Sequence, residues 1–460
     1  MLDTEPDLSN FSTIDFSNGA VAAVSGGSDS TALLLLLKAH LDRSAPTARL
    51  LAVTIDHGLR PEAAAEARAV AKLCAERGIA HRILSWSGDK PSTGLPAAAR
   101  EARYRLLAEA AQAQGIGVIA TGHTADDQAE TVLMRAARND GQELGEMAGR
   151  GLAGMAPATL YDWRIWITRP LLGVRRAALR AFLRRENVGW TEDPTNTDAH
   201  FERPRIRAVL GEDRGGQRFA EAISLAGRAA SEREQLGRRA AALIREFASQ
   251  PAPGLIRLEP GFANADDTQA AVYGLRVLLA ATGGVALLPD QARSEALFEQ
   301  MQAGPLCATL SRTVVDTRRT GIFLYRELRD LPAAAPLAVG LWDGRRRITD
   351  AEAITLGDSS GALLIAPLGA AAAAKRTAGN GAPASLVRAG LAAEPALWRG
   401  GECLGFAGDV TTAPAIALSP AVAPFARFLP SFDLALAGAV AELTGAPPVP
   451  ALPSSRHSAG

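Results

Sequence analysis

Cysteine is scarce: Cys74, Cys307 and Cys403 are the three in 460 residues, and they stand too far apart for a CxxC pair, a local zinc site or a disulfide framework. Buried thiols are the expectation that remains. An excess of either charge is also missing, since 49 Lys and Arg balance 49 Asp and Glu. That excludes a uniformly basic surface and leaves room only for a local patch facing a polyanion. Long apolar runs are absent. Leu33 to Leu37 is far too short to span a bilayer and ends at Lys38. Met1 to Asn18 is polar and acidic, without the basic start and apolar centre of a secretory signal, so a cytoplasmic protein with no membrane association is expected. What is present is ordinary for a globular chain, 47% hydrophobic and 21% charged, at a length that suits roughly two to four domains.

Up to about Arg207, short apolar runs alternate with helical periods, the pattern of a doubly wound α/β sheet. The expected strands are Val21–Val24, Leu50–Ile55, His81–Ser85 and Gly117–Ala120. The expected helices are Thr31–Leu41, Pro61–Arg77, Pro96–Gln114 and Ala125–Arg138, with Pro61 suited to a first turn and Gly78 and Gly115 to helix ends. The fold class is therefore α/β with a mostly parallel sheet over residues 1–215. A helical domain over 216–330 follows, then a smaller mixed or β-rich domain over 331–444, and a low-complexity tail over 445–460 expected to be disordered.

Three polar clusters each follow a strand. Ser25-Gly26-Gly27-Ser28-Asp29-Ser30-Thr31 reads as a phosphate-binding loop: its glycines allow a tight turn and close approach to an anion, and its N–H groups and hydroxyls point at it. A Gly-Ser turn capping a helix would look the same in isolation. The loop lacks the lysine of the GxxxxGK[ST] type, so phosphate charge must be met by a metal ion or by basic residues from elsewhere. Asp29 in that position suits Mg²⁺ binding or loop orientation. Asp56-His57-Gly58-Leu59-Arg60 follows the second strand, where placement alone suggests nucleotide or metal contact. In a parallel sheet the carboxyl ends of the strands line one rim, so the clusters converge on one crevice.

The third cluster, Gly122-His123-Thr124-Ala125-Asp126-Asp127-Gln128-Ala129-Glu130-Thr131, is the most chemically loaded. Asp127, Glu130 and Thr131 share one helical face at a helix start. The helix dipole favours acids there, but capping alone does not call for His123 beside two adjacent aspartates. Such carboxylates can bind Mg²⁺, hold the cation of an amino-acid substrate or accept a proton from an attacking amine.

SGGSDS, DHGLRP, the helical Ala99-Arg100-Glu101-Ala102-Arg103-Tyr104 and GHTADDQAET together resemble the tRNA(Ile)-lysidine synthetase family of the PP-loop ATP pyrophosphatase superfamily. Arg169-Pro170-Leu171-Leu172, Trp190 to Asn196 and Phe201 to Arg207 are similar to that family too, so the resemblance covers residues about 19 to 210. It implies an adenine-nucleotide α-hydrolase-like fold and a two-step reaction. ATP adenylates C2 of the wobble cytidine in an isoleucine tRNA bearing a CAU anticodon, and free L-lysine then displaces AMP. By position, Ser25, Gly26, Gly27, Ser28, Asp29 and Ser30 become the ATP loop, and Asp29, Asp56, His123, Asp127 and Glu130 the catalytic group. Asp29 and Asp127 become the Mg²⁺ ligands, with Arg100 or Arg103 and Arg207 as contacts to lysine carboxylate or phosphate.

The chain departs from the family pattern at Thr124, where a second histidine is common, at Arg138-Asn139-Asp140-Gly141, and at Arg203-Pro204-Arg205, where Pro204 removes an amide and a backbone donor. Arg175, Arg176, Arg180, Arg184 and Arg185 crowd one expected helix, as a tRNA phosphate contact or as a solvated face. A tRNA 2-thiocytidine synthetase shares the loop and the GHxxDD motif, but the absence of CxxC weighs against it. A nucleotide-binding scaffold without catalysis is opposed by intact Asp29, Asp127 and Glu130. The sequence does not fix an oligomeric state.

Overall fold

The computed structural model describes residues 9–59, 62–139, 149–192, 202–213, 215–349, 363–376, 381–407 and 416–454. Arg60, Pro61, Asp140, Gly141, the 193–196 part of the family segment and Phe201 lie outside them. The chain folds as two compact units. The first runs to Arg233 and includes Pro430–Phe432 and the residues from Pro450; the second is Glu234–Leu429 with Asp433–Val449.

In the first unit α1 (Ser9–Ser12) precedes β1 (Ala20–Ala23), α2 (Ser28–Ser44), β2 (Leu50–Asp56), α3 (Ala63–Glu76), β3 (Ala80–Ser85), α4 (Leu95–Gln112), β4 (Val118–Thr121) and α5 (Ala125–Asn139). After α6 (Gly149–Leu152) come β5 (Ala158–Tyr161), β6 (Ile165–Thr168), α7 (Arg176–Arg185) and α8 (Glu202–Glu212). The four expected strands and four expected helices all form, with ends shifted by a few residues, and Gly78 and Gly115 take left-handed φ of 62° and 64° just past their helices.

The sheet runs β5-β6-β4-β1-β2-β3 within this unit, parallel except for β5 against β6. β1 and β4 lie at its centre with every residue buried, which is why they read as continuous apolar runs rather than alternating ones. Chain order reverses between them: β1 leads outward to β2 and β3, and the chain then returns to the other side of β1 as β4. The loops after β1 and β4 therefore open onto one crevice. Leu33 to Leu37 of α2 are all buried and pack with Val70, Leu179 and Leu183, so the leucine run is core, each side chain stabilising the fold by about 1.5–3 kcal/mol.

The helix α9 (Gln217–Phe247) carries the chain into the second unit. There β7 (Ala248–Ala252), β8 (Leu255–Leu258), α10 (Pro260–Ala263), α11 (Thr268–Gly283), α12 (Gln291–Ala303), β9 (Leu306–Leu310), β10 (Thr313–Arg318) and β11 (Gly321–Arg326) build an antiparallel sheet of order β7-β8-β11-β10-β9 beside the helices. Short strands follow: β12 (Ala335–Pro336), β13 (Gly340–Trp342), β14 (Arg346–Ile348) and β15 (Leu364–Pro367). After α13 (Ala370–Ala374) and α14 (Ala384–Ala392) come β16 (Pro395–Arg399), β17 (Glu402–Gly405), β18 (Leu418–Pro420) and α15 (Leu434–Thr444). The C-terminal region is β-rich, with sheets β12-β15-β16-β17 and β13-β14-β18.

Several expectations need correction. No domain boundary falls at 330/331, because Leu386, Val387 and Leu391 of α14 share a buried cluster with Leu255 and Phe323 of the five-stranded sheet. The boundary expected at 215/216 falls within α9, at Arg233/Glu234. The disordered tail does not begin at Gly445: that residue is the left-handed cap of α15, and Ser454 bridges Ile14 while Asp15 N–H donates to Pro453 O at 3.0 Å. Of the thiols, Cys74 is buried, Cys403 half-buried and Cys307 exposed. Among the described residues no helix is long and apolar enough to cross a membrane.

Candidate functional site

The loop between β1 and α2 closes on itself through Ser30. Its Oγ accepts from Ser25 N–H at 3.1 Å and donates to Gly27 O at 3.1 Å. Gly26 has φ 86°, a conformation strained for any residue with a Cβ. The post-β4 loop touches this one at Gly122, where an added Cβ would lie 2.9 Å from the backbone of Asp29 and of Ser30. Only glycine permits that approach.

On that contact stands a cluster of three carboxylates and three guanidiniums. Asp29 comes from the phosphate loop, Asp127 and Glu130 from successive turns of α5, Arg176 from the first position of α7, and Arg203 and Arg207 from one face of α8. Arg176 donates Nε to Asp29 Oδ2 (2.8 Å), Nη2 to Asp127 Oδ1 (2.9 Å) and Nη1 to Glu130 Oε1 (3.3 Å). Arg203 donates to Glu130 Oε2 at 2.7 Å and Asp127 Oδ1 at 3.0 Å, and Arg207 to Glu130 Oε1 at 2.7 Å. Thr124 donates both its N–H (2.9 Å) and its hydroxyl (2.7 Å) to Asp127 Oδ2, which fixes that carboxylate against the start of its own helix. Threonine at this departure from the family pattern is thus a helix-capping partner for Asp127.

The environment separates the two aspartates. Burial raises the pKa of Asp29 above its ordinary value, against the pull of Arg176. Burial acts the same way on Asp127, but Arg176, Arg203 and the two Thr124 bonds outweigh it and hold that carboxyl below its ordinary value. His123 is pushed down to about 3 by burial and then by Arg169, Arg103 and Arg100, with Asp127 opposing, so it is neutral near pH 7. Its Nδ1 lies 2.9 Å from Thr121 Oγ1, and that hydroxyl gives its one proton to Thr168 O at 3.2 Å. Nδ1 is therefore assigned the proton, and Nε2 is left as an acceptor.

Other expected residues are placed differently. Asp56 Oδ1 accepts from Gly58 N–H at 2.8 Å in a turn at the end of β2, and among the described residues no hydrogen bond or ion pair joins it to the carboxylate cluster. His57 sits edge-on to Trp86 at 6.0 Å, and burial followed by Arg103 lowers its pKa. Arg100 lies over the ring of Tyr104, 5.0 Å from its centroid, and Tyr104 is buried in the core. Ser28 Oγ donates to Asp29 at 2.9 Å.

The arginines of α7 require correction. They do not form a single exposed face. Arg176 enters the carboxylate cluster, Arg180 Nε lies 3.4 Å from Ser28 Oγ and its Nη2 2.8 Å from Glu192, and Arg175 stacks on Phe219 while pairing with Asp126 at 3.2 Å. Arg184 and Arg185 are exposed. A signal was available: Arg176 and Arg180 share one helical stripe with the buried Leu179 and Leu183. Arg203 is likewise a partner of Asp127 and Glu130, and Pro204 costs little because it falls in the first turn of α8, where its N–H would have had no helical partner.

Carboxylate oxygens from Asp29 and Asp127 are the hard ligands that Mg²⁺ takes, and Mg²⁺ needs few protein ligands when phosphates and water complete its shell. Among the described residues no group of three His, Cys, Asp or Glu is arranged to hold a metal by itself.

A family model described as PP-loop domain matches residues 4–213. A tRNA(Ile)-lysidine synthase of Mesorhizobium japonicum is 67% identical over 463 residues, covering 100% of both chains. One from Rhizobium meliloti is 41% identical, covering 94% of this chain and 93% of its own. One from Brucella ovis is 41% identical over 71% of this chain and 72% of its own.

Proposed function

The chain belongs to the tRNA(Ile)-lysidine synthase family, and we propose that its first unit joins free L-lysine to C2 of the wobble cytidine of a CAU-anticodon isoleucine tRNA through an adenylated cytidine. It is an ATP-using ligase that forms a C–N bond. One observation carries the placement of the chemistry: the lysine-free phosphate loop and the Asp127–Glu130 helix meet at the β1/β4 reversal, in contact through Gly122.

Each residue has a task that its surroundings suit. The N–H groups of Gly26 to Ser30 and the first turn of α2 receive phosphate oxygens, favoured by the helix dipole. Asp29 and Asp127 would hold Mg²⁺, which when bound offsets phosphate charge. Neutral His123 presents Nε2 as an acceptor and adds no positive charge where a cytidine is to become electrophilic. Arg100 and Arg103 lie near enough to His123 to help lower its pKa, and they suit the lysine carboxylate or a phosphate. Asp127, kept ionised, and Glu130 steer the ammonium group of lysine and favour its approach as it loses a proton. Asp56 serves at the nucleotide end from its turn after β2.

A thiolating reading finds no support in the cysteines. Burial pushes the Cys74 thiol up to about 11, away from thiolate chemistry.

The test is incorporation of labelled lysine into an unmodified CAU-anticodon isoleucine tRNA transcript with Mg-ATP, with methionine tRNA as control. Incorporation into the first alone, with AMP formed, is expected. Folded protein that binds ATP yet transfers nothing would overturn the reading.

A further inference from the structure

The phosphate loop has no lysine, and the guanidinium that pairs with its carboxylate, Asp29, belongs to a residue 147 positions away, Arg176. Each of its three nitrogens bonds a different carboxylate, Asp29, Asp127 or Glu130. With Arg203 and Arg207 also bound to this trio, three guanidiniums meet three carboxylates and the cluster is neutral. A divalent cation arriving alone would meet no net negative charge, and it would have to displace a guanidinium that already bonds all three carboxylates.

The backbone of Arg176 is pinned separately. Its N–H donates to Asp126 Oδ2 at 2.7 Å, so the side chain can swing on a fixed Cα at the loop's mouth. One turn on, Arg180 reaches Ser28 of the same loop.

We propose that Arg176 is the cation the loop lacks. Without nucleotide it closes the carboxylate trio; with ATP bound, its guanidinium turns onto the phosphate oxygens above Asp29, and Asp29, Asp127 and Glu130 are released to the divalent cation and the amine. The metal then enters as a metal–nucleotide complex and not before. This inference rests on the reading of the loop as an ATP site.

The test uses full-length protein, Arg176→Met and Arg176→Lys, with folding checked by circular dichroism. Calorimetric ATP titration in EDTA should show affinity about 10- to 100-fold weaker in Arg176→Met, the loss of charge-assisted hydrogen bonds, with Arg176→Lys between the two. Electron paramagnetic resonance with Mn²⁺ and no nucleotide should show no site in the wild type at the trio and a new one in Arg176→Met. Wild-type ATP affinity in either folded variant, or Mn²⁺ bound equally by wild type and Arg176→Met, would overturn the proposal while leaving the loop reading in place. Failure of the wild type to bind ATP with or without Mg²⁺ would instead remove the loop reading itself.

Discussion

Among the described residues, two arginine–carboxylate networks of similar chemistry differ in what else the guanidiniums hold. In the second unit Asp343 accepts from Arg312 (2.6 Å), Arg326 (3.2 Å) and Arg345 (2.8 Å), and Glu394 accepts from Arg345 (2.9 Å) and Arg346. Arg326 and Asp343 are 0% and 1% exposed, and Arg326 also donates to the carbonyls of Glu327, Arg329 and Asp330. Arg345 donates to Ala393 O. These bonds to backbone lock the network into the loops it joins. In the first unit Arg176 is 19% exposed and Arg203 41%, and among the described residues their bonds run to carboxylates with none to a carbonyl. A guanidinium held by backbone is a structural fastener. One held by carboxylates in a cluster that is partly exposed can exchange its partners for a ligand.

Removing one guanidinium from each network should separate those roles most sharply. Arg326→Met leaves Asp343 buried beside orphaned carbonyls and should destabilise the protein by about 3–5 kcal/mol, read as a lower denaturant midpoint or as insoluble protein. Arg176→Met should cost less, about 1–3 kcal/mol, because Arg203 and Arg207 remain on Asp127 and Glu130. Equal losses would erase the distinction between the networks.

Within the site the next largest effect is on turnover. Asp127→Asn keeps shape and the bonds from Thr124 but removes the charge that Arg176 and Arg203 hold in place. Lysine transfer should fall by about 10²–10⁴ with a thermal midpoint near that of the wild type. Wild-type turnover would remove Asp127 from the chemistry.

His123 offers a test through pH. Its folded-state pKa of about 3 lies below the ordinary 6.5, so between those values the unfolded chain binds a proton that the folded one refuses. Its stabilising contribution is full above about pH 6.5 and is lost as pH falls toward 3. Denaturant titrations at pH 7 and pH 4.5 should show a smaller acid-induced loss in His123→Asn than in the wild type. Identical losses would mean that His123 titrates normally.

The parallel sheet was legible because buried strands and amphipathic helices leave strong periodic signals and glycine stops. The β5–β6 hairpin was not: its turn places Asp162 and Trp163 at φ 51° and 63°, where Asn-Gly would have announced it. That Ser25 to Ser30, Asp127 and Glu130 come together at one rim was readable because motif spacing and strand-end placement agree. Arg176 and Arg203 were hidden because an arginine looks the same in sequence whether it meets a phosphate, a solvent face or a carboxylate on another helix. Segment 248–326 looked helical because α11 and α12 dominate it, while its five strands are short and partly polar.

The smallest expected effect carries the comparison to a single helix. Arg176 and Arg180 of α7 point to the phosphate loop, whereas Arg184 and Arg185 one turn later are exposed, Arg184 lying 5.8 Å from the Trp190 ring centroid. If the helix has an inner face for nucleotide and an outer one for tRNA phosphates, Arg184→Ala with Arg185→Ala should weaken tRNA binding modestly. The slope of log affinity against log salt should become shallower by up to about 2, one for each lost phosphate contact. ATP affinity should not change, since neither side chain reaches the loop. A salt slope equal to that of the wild type would assign the outer face to solvent, and a fall in ATP affinity would mean that the two faces of α7 are not independent.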